Sequence, residues 1–307
     1  MSTQSNDAST LTADRPAPDT SRETRPFFWS VRRELWENRS ISVAPLVVTA
    51  VVLFASLISV MSLPLRLQRI DDPAKLDAAM VRPFAMAPAP IMLATFIIGV
   101  FFCIDTLYGE RRDRSILFWK SMPVSDRTTV LSKASIPFVV LPVIAFVLSV
   151  VTQLTMLVVS VPFFLAGDLS LVTLWTELGF LQGLVIMIYG LAVHVLWYAP
   201  IYGWLMVVSA WARRAPLLWA VLPLLAISAA ERIVFDSWHF MNMLHYRVGG
   251  ALKEAFAFKP GADGNIDRLS QLEPANFLTR PGLWIGLLFA AAFLAIAVRL
   301  RRYREPI

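Results

Sequence analysis

The 307-residue chain is long enough for two soluble domains, but 57% hydrophobic and 16% charged residues set it apart from the roughly 45–50% and 25% typical of soluble proteins. Mean hydropathy of +0.61 identifies a membrane protein. The net charge of +6 is carried by clusters beside apolar runs, where topology and anionic headgroups account for it, and so does not indicate nucleic-acid binding.

In chain order, residues 1–24 are rich in Ser, Thr, Asp and Pro and lack the apolar core of a signal peptide. They read as a disordered cytoplasmic tail. Residues 25–40 change character. Phe28, Val31, Leu35 and Trp36 recur on one helical face, while Arg32, Arg33 and Glu37 take the other. That pattern predicts an amphipathic helix lying on the inner leaflet. A first span covers residues 41–62, about the 20 residues that a hydrocarbon core of ~30 Å requires. Mixed charges follow in 63–87, where Asp72-Pro73 predicts the start of a short outer helix running to about Val81. The second span is 88–107.

Residues 108–133 combine dense charge, large apolar side chains and turn residues. Arg111, Arg112, Arg114, Lys120, Arg127 and Lys133 make this a cytoplasmic loop by the positive-inside rule. Ile116, Leu117, Phe118 and Trp119 form an apolar cluster too short to span anything. Pro123 stops that local helix, and Ser125 with Asp126 reads as the N-cap and first turn of the next. The third span runs over 135–163 with Pro137 and Pro142 near its start, and Ala166-Gly167-Asp168 forms an outer turn.

The stretch 174–212 is too long for one span and barely long enough for two. Because Arg213 and Arg214 belong with the other inner basic clusters, it reads as one span, 183–208, bent near Pro200, after an interfacial approach at 171–178. The fifth and sixth spans are 216–234 and 282–298. Between them, 235–281 is an outer segment with Met241, Leu244, Val248, Leu252 and Ala255 at helical spacing. It is expected to flex at Gly249-Gly250, loop at 260–265 and add a helical turn at 267–272. The basic clusters at 25–39, 111–133, 213–214 and 299–304 then share one face, the inside, so both termini are cytoplasmic.

The run Glu110-Arg111, then Ser115-Ile116, then Lys120-Ser121-Met122-Pro123-Val124-Ser125 and Leu131-Ser132-Lys133 resembles the first cytoplasmic loop of ABC-2-type permeases. The resemblance implies an all-α fold with six transmembrane helices, an N-terminal elbow helix and a partly helical outer segment between the last two spans. It implies that 108–133 carries a coupling helix, with Glu110, Arg111, Ser115, Ile116, Phe118, Trp119, Lys120 and Pro123 as the ATPase-coupling residues. Where the family's common form has Gly-Thr and then a further acid, this chain has Arg114-Ser115 and Leu117. Two ATPase subunits and a second permease copy or related permease are the implied protein partners. ATP and Mg would be bound by the ATPase, leaving this chain no cofactor and no catalysis of its own. The implied location is a bacterial inner membrane, and the implied activity is export.

The residues also limit the chemistry. No GxxxxGK[ST], HExxH or GxSxG pattern occurs. Cys103 is the single cysteine, which excludes an intrachain disulfide. Of the three histidines, His239 and His245 have no cysteine nearby. Gln153, Gln182 and His194 fall within predicted spans and are candidates for a substrate path or for interhelical hydrogen bonds. The near absence of ionisable groups at depth suggests a hydrophobic or amphipathic cargo. An ion-coupled secondary transporter, an intramembrane enzyme and a non-transporting scaffold remain open as alternatives.

Overall fold

A backbone that leaves water must satisfy its own N–H and C=O groups, and this chain does so with helices. The computed structural model describes residues 26–62, 79, 82–121, 124–166, 179–257 and 269–303. The elements are α1 (Pro26–Glu37), α2 (Ser40–Met61), α3 (Pro88–Arg112), α4 (Ser115–Ser121), α5 (Asp126–Ser135), a π-helical turn (Ile136–Val140), α6 (Leu141–Ala166), α7 (Phe180–Trp211), α8 (Pro216–Phe235), α9 (His239–Ala255), a 3-10 turn (Leu269–Gln271), α10 (Pro274–Thr279) and α11 (Pro281–Tyr303). An isolated antiparallel bridge joins Phe256 to Leu272, and the described residues form no strand.

Among the described residues six helical stretches are long and apolar enough to cross a membrane: Ser40–Met61, Arg82–Arg112, Asp126–Pro162, Phe180–Trp211, Pro216–Phe235 and Pro281–Tyr303. The described part of the stretch 174–212, residues 179–212, thus contributes a single helix, α7, with Pro200 inside it. Its approach at 171–178 lies outside the described residues, as do the tail 1–24, the expected helix at 72–81 apart from the helical Ala79, and the loop at 260–265. The third span is continuous with α5 through the π-helical turn. There Pro137 and Pro142 bring no N–H to the ladder, and the wider register is closed by Leu141 N–H donating to Ile136 O.

At the centre, α7 packs along α11 and against α3, while α2 lies against α3 and α6. A Cβ at Gly203 would sit 3.1 Å from Phe293 Cβ and 3.3 Å from the Ala290 carbonyl, so a small residue lets α7 and α11 approach closely. Around that contact Phe102, Leu107, Tyr202, Met206 and Ala297 form the main core. The outward faces are apolar too: Val47, Val51 and Phe54 on α2 and Leu218, Leu222 and Leu225 on α8 are exposed. That surface suits lipid, and α8 is the most peripheral span, with 11% of its apolar window buried.

Two expectations about helix faces are corrected. α9 runs unbroken through Gly249-Gly250, because Gly250 is a packing position: its Cβ would lie 3.1 Å from both the Trp197 and Tyr246 rings. Of the expected stripe, Met241 and Leu244 are half-buried and Ala255 is buried, but Val248 and Leu252 point outward, and Arg247, Gly250, Ala251 and Glu254 complete the inward face. Likewise, α1 buries Ser30 and Glu34 and half-buries Val31 and Leu35, leaving Phe28 and Trp36 exposed. Arg32 sits with those aromatics instead of on the opposite face. The helical turn expected at 267–272 is the 3-10 turn, and α10 is an additional element that the hydrophobic pattern did not reveal.

Candidate functional site

At the end of the bundle where α3, α7 and α11 finish and α1, α5 and α8 begin, charges are buried together. Burying a charge is tolerable only if it is paired, and each one here has a partner from another element. Lys133 Nζ on α5 lies 2.9 Å from Glu34 Oε2 on α1 and 3.2 Å from Glu110 Oε1 on α3. It also donates to Thr106 Oγ1 at 3.2 Å. Arg301 on α11 reaches Glu110 Oε2 at 3.3 Å and pairs with Asp126 on α5. Arg33 lies 2.7 Å from Glu34 and 3.6 Å from Glu110. Three carboxylates (Glu34, Glu110, Asp126) therefore meet three cations (Arg33, Lys133, Arg301), tying α1, α3, α5 and α11 into one unit. Glu37 sits on the rim of this network. Partial burial lifts its carboxyl above the usual range, and Arg33 opposes the lift.

Arg111, also buried, donates to the carbonyls of Ala210 (2.7 Å) and Ala212 (3.1 Å) and so fixes the end of α7 against α3. Asp105 is 3.9 Å from Arg112, whose closer partner is Asp113 at 3.0 Å.

The short helix α4 hangs below this network. Its entry is Arg114 with φ +56°, in the left-handed region that glycine occupies without strain. Arg114 stands where the ABC-2 pattern has glycine. Downstream, Ser125 Oγ accepts from Thr128 N–H at 3.1 Å, as an N-cap should. Along α4, Ile116 is sealed in the bundle, whereas Leu117 and Phe118 are each 60% exposed. Trp119 is half-buried: the Arg33 guanidinium lies 3.8 Å from its ring centroid, and Phe118 meets it edge-on at 4.8 Å. Lys120 Nζ donates to Arg302 O at 3.3 Å, and Ser115 Oγ to Glu110 O at 3.4 Å. Pro123 lies outside the described residues.

The expected coupling residues thus divide. Glu110, Arg111 and Ile116 belong to the internal scaffold, Trp119 and Lys120 fasten α4 to α1 and α11, and Phe118 is open to a partner, joined by Leu117. The sequence reading missed Glu34 altogether. Arg301 it counted only as a basic residue of a membrane face, and Lys133 as one that also falls in the run resembling ABC-2 permeases. The available signal was a carboxylate and cations placed within a turn or so of apolar spans.

The three candidates for polar groups at depth do not converge. Gln153 Nε2 donates to Phe84 O at 3.3 Å, an interhelical hydrogen bond. Gln182 is in the first turn of α7, twelve residues and so roughly 18 Å of helix from His194. His194 Nε2 is 2.9 Å from the Tyr202 hydroxyl, within a group of rings that includes Phe96 and Tyr198. The recess beside it, between Thr95, Pro137, Leu141 and Tyr202, measures about 10 Å³, close to the space one water needs. Neither glutamine lines it. Among the described residues no cluster of His, Cys, Asp and Glu could hold a metal ion. The chain matches no family model, no curated protein and no solved structure.

Proposed function

We propose that this chain is the membrane-spanning permease subunit of an ABC-2-type exporter, driven by ATP hydrolysis in a separate ATPase. The observation that carries the reading is α4: a short helix held at the basic end of six apolar helices, with Leu117 and Phe118 facing out. Its attachments at Arg33, Lys120 and Ser115 support a coupling role, since a push on α4 would bear on α1, α3 and α11 together. The left-handed Arg114, at the glycine position of the family pattern, supports the same resemblance.

In this reading the basic end is cytoplasmic, both termini lie there, and the membrane is a bacterial inner membrane. Two ATPase subunits would dock on the α4 helices of a permease pair, and a hydrophobic or amphipathic cargo would suit spans so poor in charge. ATP and Mg would bind the ATPase, whose cycle would shift the permease between inward and outward states through its differential affinity for the two.

Purification of the tagged chain from its native membrane, followed by ATPase assay in proteoliposomes, tests the proposal. An ATPase should co-purify, with hydrolysis stimulated by amphiphiles. Buried aromatics act as anchors at interfaces, so Phe118→Ala should weaken that complex by about 2 kcal/mol while leaving the fold intact. An unaltered complex with Leu117 and Phe118 both changed to Ala would refute docking at α4. Transport that persists without any ATPase would favour an ion-coupled carrier.

A further inference from the structure

The charges of α1 are sorted by side. Its acids turn toward the bundle: Glu34 onto Lys133 and Arg33, and Glu37 toward Arg33 at 3.7 Å. On the outward side stand Phe28, Trp29, Arg32 and Trp36. The three aromatics are 56–67% exposed. Arg32 Cζ lies 5.3 Å from the Trp29 ring centroid and 4.6 Å from that of Trp36, so the guanidinium is framed by two indoles. Phe28 extends the strip, edge-on to Trp29 at 5.7 Å. Among the described residues neither Arg32 nor the exposed Arg39 has a carboxylate within ion-pair distance. α2 begins at Ser40, and after the exposed Ser40 and Ser42 its outward side chains Val43, Leu46 and Val47 are apolar.

We propose that this strip binds anionic phospholipid headgroups, with Arg32 as the phosphate contact. An arginine forks onto a phosphate through parallel N–H donors. Indoles favour the level of the membrane where headgroups meet acyl chains, and stacking between them holds the guanidinium flat without neutralising it. The net positive charge of the outward side selects anionic over zwitterionic lipid. Because Glu34 ties the same helix to Lys133, α1 links the lipid surface to the buried ionic network. The proposal requires the apolar helices to cross a membrane, and is independent of any ATPase or cargo.

The test uses the full-length protein in vesicles of phosphatidylcholine brominated near the headgroup end of its acyl chains, titrated with unbrominated phosphatidylglycerol. A Trp29→Phe/Trp36→Phe variant supplies the signal of the other tryptophans for subtraction. Phosphatidylglycerol should displace the quencher from Trp29 and Trp36 with about fivefold preference over phosphatidylcholine, the effect of one cation near an anionic surface. Arg32→Gln should abolish the preference, and Arg214→Gln, at an exposed arginine away from the strip, should keep it. Equal displacement by both lipids, absence of quenching at Trp29 and Trp36, or full preference in Arg32→Gln would each overturn the proposal.

Discussion

Lys133 and Glu34 are 3% and 0% exposed as side chains, so neither can turn to water if the other is lost. Removing one member of a buried pair typically costs about 3–5 kcal/mol, mostly as the penalty on the charge left behind. Glu34→Leu and Lys133→Met should each show that loss as a lowered melting temperature in detergent. The double variant should lose less than the sum, because Arg33 and Glu110, 3.6 Å apart, can then neutralise each other. Strict additivity would show that the two residues are not coupled. Glu110 and Arg111 illustrate how far such a site could be read in advance. The basic-loop reading placed both in or beside 108–133, next to the short apolar cluster 116–119. It could not show that they face inward, since their partners, Lys133, Arg301 and the Ala210 and Ala212 carbonyls, come from segments distant in sequence.

Where small residues make the packing surface, a stripe of large apolar side chains does not mark the buried face of a helix. In α9 the large apolar residues were legible as a stripe, yet Val248 and Leu252 point outward, and the packed side is built from Gly250, Ala251 and Ala255. Small residues let helices approach closely, so the packed side need not carry the large side chains. α1 also departs from expectation, turning Glu34 inward and Phe28 and Trp36 outward. The adjacent glycines of α9 make this testable. Nothing lies within 4 Å of a Cβ built on Gly249, whereas one on Gly250 meets the Trp197 and Tyr246 rings at 3.1 Å. Gly249→Ala should therefore stabilise the helix by about 0.5–1 kcal/mol through reduced backbone entropy in the unfolded chain. Gly250→Ala should lower the melting temperature instead, since two rings anchored to Arg247 and Glu254 must give way. Equal responses at the two positions would mean that α9 does not pack on Trp197 as described.

At the scale of the molecule, the number of spans was legible because a hydrocarbon core of ~30 Å demands about 20 apolar residues, a length no short element imitates. The ambiguous stretch was resolved by its ends: Arg213 follows directly on Ala212, whose carbonyl accepts from Arg111, so α7 crosses once and returns the chain to the basic end. How the helix ends gather there was not legible, because it depends on pairings between segments about 100 to 190 residues apart. The proposed orientation of the bundle rests on that gathering. With α1, α4 and the end of α11 together beside Arg213 and Arg214, the positive-inside rule predicts that this end is the cytoplasmic one. The buried thiol of Cys103 can be removed as Cys103→Ala, giving a background for single cysteines. Asp126 is a poor reporter because it pairs with Arg301, but its neighbour Arg127 is exposed, as is His239 at the far end of α8. An impermeant thiol reagent applied to intact spheroplasts should label His239→Cys and reach Arg127→Cys only after the membrane is opened. Labelling of Arg127→Cys in intact cells, with His239→Cys protected, would invert the molecule and place α4 where no cytoplasmic ATPase could dock.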